Sequence, residues 1–230
     1  MSRVFSKPQR WRIFYSQLLD EMMDLGINSV AIVAIVSIFV GAVIAIQTAL
    51  NMESAPAYMV GLATRDTLIL EFCSTMIALI LAGKVGSNIA SQIGSMRITE
   101  QLDALELMGV NSACYLILPK IVALVSLMPF ITIFSITIGI SGGLMGIALT
   151  DYFTVDQYVD GIQYEFTPYY VTYSIIKSMV FAFIITSVSA FWGYSVQHGT
   201  LDVGRKSTMA VVTSCICILI FNLLLTEMLL

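Results

Sequence analysis

Residues 121–150 read IVALVSLMPFITIFSITIGISGGLMGIALT, thirty consecutive positions without an Asp, Glu, Lys or Arg. In an ordinary soluble domain about a quarter of residues are charged, so water is not the solvent of this stretch. At 1.5 Å per residue a helix of this length spans about 45 Å, against about 30 Å for the hydrocarbon core of a bilayer. The excess predicts one long helix that tilts or kinks, with Pro129, Gly139, Gly142, Gly143 and Gly146 as interruptions. A shorter helix followed by a re-entrant piece is the alternative.

Working outward, residues 27–49 are equally free of charge, and the remaining apolar runs fall at 67–94, 116–150, 171–193 and 208–230. With 58% hydrophobic and 11% charged residues over 230 positions, the expected fold is an all-α integral membrane protein of five spans, forming a single domain over 1–230. Ahead of the first span, residues 8–25 place Trp11, Phe14, Tyr15, Leu18, Met22 and Leu25 at helical spacing. Arg10, Arg12, Gln17, Asp20, Glu21 and Asp24 take the other positions. That pattern predicts an amphipathic helix lying in the membrane interface, or one packed on protein. It is not the compact apolar run of a signal peptide.

Lys and Arg accumulate in cytoplasmic segments. Here they occur at Arg3, Lys7, Arg10 and Arg12, at Lys84, Arg97 and Lys120, and at Arg205 and Lys206, whereas the loop between spans three and four carries Asp151, Asp156, Asp160 and Glu165. The expected orientation is N-terminus inside and C-terminus outside, with Arg65 as one basic exception in an outer loop.

The net charge of −4 comes with no basic stripe, which argues against a nucleic-acid partner. No G-x-x-x-x-G-K-[ST] loop, nucleophile elbow or H-E-x-x-H occurs. His198 has no neighbours of ligand spacing, and Cys73, Cys114, Cys215 and Cys217 read as small apolar packing residues rather than a metal or redox site. The chain is therefore expected to be no enzyme by itself, with no cofactor or metal of its own.

Three features invite a function. Glu71 is ionisable and lies within a span, where such groups are costly and mark functional sites. Gln47, near the outer end of span one, shares its expected height, so the two point to a cavity open to the outer side, or to an interfacial carboxylate and an interhelical hydrogen bond. Secondly, Ala82, Gly86, Ala90 and Gly94 repeat every four positions beside Gly83, a small-residue face for close helix packing, within the subunit or across a dimer axis. Lys84 inside this ladder reads as a snorkelling side chain. Thirdly, a cytoplasmic helix over 96–109 sets Ile98, Leu102 and Leu105 as an apolar stripe against Glu100, Gln101, Asp103 and Glu106, with Gly109 as its stop. It suits docking of a soluble partner or a plain connection.

The ungapped stretch EFCSTMIALILAGKVGSNIASQIGSMRITEQLDALELMGV, residues 71–110, resembles the MlaE/YrbE permease family. There a Glu opens the span, an A-G-[RK]-x-G-S block follows, and I-G-x-M-[RK]-x-T-E-Q forms a coupling helix. Phe72, Cys73 and Ser74 depart from the Leu-Gly-Pro common in that family, which bears on the shape of any pocket there. The resemblance implies a homodimeric permease in the bacterial inner membrane that moves phospholipids between membranes. It further implies two ATP-binding-cassette subunits binding ATP and Mg on the cytoplasmic side and an MCE-domain protein on the periplasmic side. It makes Arg97, Glu100, Gln101, Leu102, Asp103, Leu105 and Glu106 the ATPase-coupling residues, and Gln47, Leu50, Leu70, Glu71 and Phe72 the lipid contacts. An ion-driven secondary transporter and a non-transporting scaffold are the rival readings; the former needs buried carboxylates, of which Glu71 is the candidate, and an internal repeat, which is not detected.

Overall fold

A bilayer core supplies no partner for backbone N–H and C=O groups, so a chain crossing it closes those bonds within helices. The computed structural model describes residues 11–52, 56–150, 153–197 and 199–229, with side chains from Phe14 onward. Among them no strand occurs, and five helices are long and apolar enough to cross a membrane: Phe14–Asn51, Tyr58–Ile98, Ser112–Ala148, Pro168–Tyr194 and Gly199–Leu229. The chain is thus a multi-pass, all-α membrane protein. Arg3, Lys7, Arg10, Glu53, Asp151, His198, Leu230, the first residues of the 8–25 helix and the side chain of Arg12 lie outside the described residues.

Several limits differ from those expected. Helix α1 (Trp11–Glu21) does not stop before the first span but passes through a π-wound turn, Met22–Ile27, into α2 (Asn28–Asn51). Gly26 in that turn packs closely on Leu127: a Cβ there would lie 2.2 Å from Leu127 Cδ1. The polar link after span one holds a helix of its own, α3 (Tyr58–Thr67), continuous with π-wound Leu68–Met76, α4 (Ile77–Leu81), π-wound Ala82–Gly86 and α5 (Ser87–Ile98). The segment expected on the cytoplasmic side is not one rod over 96–109. Glu100 adopts a left-handed φ of 58°, so α5 ends and a short α6 (Gln101–Leu107) begins, which Gly109 terminates at φ 76°. The charge-free run is one helix, α7 (Ser112–Ala148), 37 residues long. The segment expected as a polar loop contains α8 (Val155–Gln163), started by a reciprocal Thr154/Gln157 capping box. The last spans are α9 (Pro168–Tyr194) and α10 (Gly199–Leu229), so Arg205 and Lys206 are helical.

By its contacts the chain divides into two compact units. In one, formed by Val30–Ile77 and Pro129–Ser178, the glycines of α7 are a packing face rather than kinks. A Cβ on Gly142 would stand 2.2 Å from Ile38 O, one on Gly146 2.7 Å from Ala42 O, and one on Gly41 1.9 Å from Gly139 O. Backbone meets backbone here, which is how small residues drive helix association in lipid. A Ser37–Ser135 hydroxyl pair at 2.7 Å adds a hydrogen bond across the same seam. Tyr158 of α8 is buried with Ala45, Ala49, Val60 and Ile147, and its hydroxyl occupies the space that a side chain at Gly143 would need. Arg65, expected in an outer loop, lies instead on α3. It is 2% exposed, pairs with Asp66 at 2.8 Å, and donates to the carbonyls of Ile162 (2.8 Å) and Tyr164 (2.7 Å), closing the C-terminal end of α8.

The other unit holds the described residues up to Ser29, Ala78–Met128 and those from Met179 onward. Its centre is the small-residue ladder of span two. A Cβ on Gly86 would meet Ser189 Oγ at 2.9 Å, one on Gly94 would meet Val196 and Val203, and Gly193 approaches Ile93 and the Ala90 carbonyl. Ala82 and Ala90 are fully buried. The ladder therefore packs within the subunit, on α9 and α10, and a Ser87–Ser207 hydroxyl pair at 2.9 Å joins α5 to α10. Gly83 lies off this face, with open space where a Cβ would be. Lys120, 2% exposed, bonds Glu21 of α1 and, at 2.6 Å, Gln92 of α5. Lys84 donates to the Asn28 carbonyl.

Candidate functional site

Glu71 sits in the first turn of Leu68–Met76, the π-wound part of span two. Its carboxylate Oε1 accepts a hydrogen bond from Lys177 Nζ at 2.9 Å. Lys177 also reaches the Leu70 carbonyl at 3.4 Å and lies 4.6 Å from the centroid of the Tyr173 ring, one turn earlier on α9. The lysine side chain is 0% exposed and the glutamate 38%, so the cation is enclosed by protein while the carboxylate keeps one side open. A charge in an apolar span is tolerated when it is paired in this way.

Of the residues expected to share a cavity with Glu71, Gln47 and Leu50 are exposed on α2, and Leu70 and Phe72 are half-buried on either side of the carboxylate. Each leaves surface for a ligand. Lys177 escaped the sequence reading. The signal was available: a lysine inside an apolar helix carries the same cost that singled out Glu71.

In the segment around α6 the apolar stripe turns inward at Leu102, which is fully buried, while Leu105 is half-buried. Glu100, Gln101, Asp103 and Glu106 are exposed. Arg97, on the last turn of α5, bonds Asp103 at 2.7 Å and so braces α6 across the turn. Glu106 accepts from Ser112 Oγ at 2.8 Å, tying α6 to the start of α7. Leu107 and Met108 are 89% and 70% exposed, an apolar tip on a polar helix. This exposed end was not read from sequence, because a single helical stripe through 98, 102 and 105 does not include it.

An apolar cleft of about 200 Å³ lies between α7 and α9, lined among others by Ile117, Ile121, Ala190 and Phe191. None of the residues singled out from sequence borders it. Among the described residues no group of His, Cys, Asp or Glu is arranged to hold a metal ion, and none of the four cysteines forms a disulfide.

Five apolar spans, an ion pair within them and a braced short helix between spans make up a polytopic membrane protein. The family model described as permease MlaE matches residues 18–228. The chain is 36% identical over 222 residues to a probable ABC transporter permease protein of Rickettsia bellii, covering 94% of this chain and 84% of that one. It is 33% identical over 226 residues to a probable ABC transporter permease protein of Synechocystis, covering 97% and 86%. It is also 27% identical over 221 residues to the chloroplastic protein trigalactosyldiacylglycerol 1 of Arabidopsis thaliana, covering 94% of this chain and 62% of that protein. The chain belongs to the MlaE permease family, and it is a permease component of a transporter rather than a catalytic subunit.

Proposed function

We propose that this permease moves phospholipids between the bacterial inner membrane and the outer envelope, as a homodimer driven by two separate ATP-binding-cassette subunits and working with an MCE-domain protein on the periplasmic side. ATP and Mg belong to the ATPase partners. The observation that carries the lipid reading is the Glu71–Lys177 pair, with its half-open carboxylate among apolar neighbours. A bare carboxylate would repel an anionic phosphate. With Lys177 beside it the local charge is balanced, so a head group can approach while Leu50, Leu70 and Phe72 accept acyl chains. A relative named for trigalactosyldiacylglycerol supports the lipid class.

The N-terminus lies inside and the C-terminus outside. Arg65, the one basic residue counting against that orientation, is buried and paired with Asp66, so it carries no free charge to the outer side. Exposed Glu100, Gln101, Asp103 and Glu106 of the α6 region meet the ATPase, with Arg97, Leu102 and Leu105 supporting them. ATP-driven closure of the cassette subunits pulls the α6 segments together and compresses a cavity at the dimer interface, releasing lipid to or from the MCE partner.

Photoreactive residues introduced at positions 47 and 71 test the lipid site in cells. Covalent phospholipid adducts are expected at both. Adducts confined to a control position on the exposed face of α10, such as Phe221, would overturn it.

A further inference from the structure

Span two departs from α-helical winding where its carboxylate sits: Leu68–Met76 is π-wound, with α3 before it and α4 after it. π turns are rare, persist as local insertions in α-helices, and gather at functional sites. Something must hold this one. Lys177 Nζ touches the segment twice, at Glu71 Oε1 (2.9 Å) and at the backbone carbonyl of Leu70 (3.4 Å). A side-chain donor reaching a helix's own carbonyl is one of the few physical causes of a disturbed helical ladder. Lys177 is fully enclosed, with its ammonium against the Tyr173 ring. Its contact with Leu70 is therefore imposed by the packing of α9.

We infer that Lys177 is a positioning residue whose ammonium holds Leu68–Met76 in π register and so sets the direction in which Leu70, Glu71 and Phe72 point. The consequence for transport rests on the lipid reading above; the register itself does not. At 3.6 residues per turn, a one-residue change of register turns one side of the segment against the other by about 100°. Glu71 would then leave Lys177, and Phe72 would swing with it. Lys177 thereby acts on ligand contact through the helix that carries it.

Cys73, 4% exposed in the middle of the segment, is a built-in reporter of this register. Cys114, 6% exposed at the start of α7, reports general loosening. The experiment labels the full chain in lipid nanodiscs with a small maleimide after Cys215 and Cys217 are replaced by Ser. Both remaining thiols are expected to react slowly in this parent and in Glu71→Gln, which keeps the ammonium and its Leu70 contact. In Lys177→Met, Cys73 is expected to react at least about tenfold faster, as for a local opening, while Cys114 is unchanged. A Cys73 that stays protected in Lys177→Met overturns the inference. So does joint acceleration of both thiols there, which would assign Lys177 to the fold as a whole, and so does any acceleration in Glu71→Gln. Since labelling does not depend on transport, failure here and failure of the lipid adducts are separate results.

Discussion

Lys177 Nζ stands 2.9 Å from Glu71 Oε1, and the burial of the two partners is unequal: the lysine is 0% exposed and the glutamate 38%. Truncating either residue strands the other's charge, but in different surroundings. A cation left enclosed without its carboxylate bears the cost of a broken buried pair, about 3–5 kcal/mol. A half-open carboxylate left without its lysine can turn outward and loses less, about 1 kcal/mol. Glu71→Ala is therefore expected to destabilise the protein more than Lys177→Met, with Glu71→Gln, which keeps a hydrogen-bond acceptor for the enclosed ammonium but not its counter-charge, milder than Glu71→Ala. Thermal unfolding of the purified variants in nanodiscs checks the order, and the reverse order would mean that Glu71 is the enclosed partner.

Tyr158 is 1% exposed, and its hydroxyl has no hydrogen-bond partner. It lies outside the membrane-spanning helices, and burial pushes it up to about 12, against about 10 for an unfolded chain. The folded state thus favours the protonated form. Its contribution is fully present below pH 10 and is lost as pH rises from 10 through 12, at no more than about 1.4 kcal/mol per pH unit. Tyr158→Phe removes an unpaired buried hydroxyl at nearly constant shape, so it is expected to be neutral or to stabilise by about 1 kcal/mol. It should also flatten the alkaline fall. Stability measured against pH for both proteins tests this, and an unchanged fall in the variant would place its cause elsewhere.

Gly142 and Gly83 should respond oppositely to a single methyl group. At Gly142 the Cβ would lie 2.2 Å from Ile38 O, a backbone atom that cannot move aside alone. Overpacking of this kind costs about 1–3 kcal/mol. At Gly83 the space is open, and replacing a helical glycine by alanine gains about 0.5–1 kcal/mol in helix propensity. Gly142→Ala should lower the unfolding temperature and Gly83→Ala should hold or raise it. Equal effects would remove the glycine face as the seam of α2 and α7.

How far the sequence could be read follows from which kind of signal each feature leaves. Charge-free runs leave a strong one, and the spans of α2, α7, α9 and α10 were legible from composition alone. Glu71 was visible as a charge among apolar residues. Lys177 carries the same mark, a charge inside an apolar helix, but that it pairs with Glu71 joins positions 106 residues apart and leaves no local pattern. The glycines of α7 were visible, but only tertiary contact distinguishes a kink from a face laid on Ile38 and Ala42. Helix α8 was hidden by its polarity. It is nine residues long and is held by Arg65 and by the close approach of its own Gly161 to Gly61 of α3, partners far away in sequence. The break at Glu100 was also illegible, since a left-handed glutamate has no sequence signature comparable to that of glycine.

The central claim is that this permease takes its power from a separate ATPase through α6. Glu100 and Asp103 are exposed, and the Arg97–Asp103 pair, with side chains 41% and 54% exposed, contributes little to stability. Reversing both charges, Glu100→Arg with Asp103→Arg, should therefore leave the protein folded in the membrane. The decisive measurement is recovery of ATPase activity with the affinity-purified permease, parent against double variant, at equal amounts of permease. The account predicts that the activity copurifies with the parent and is lost from the variant. Equal recovery from both would contradict it.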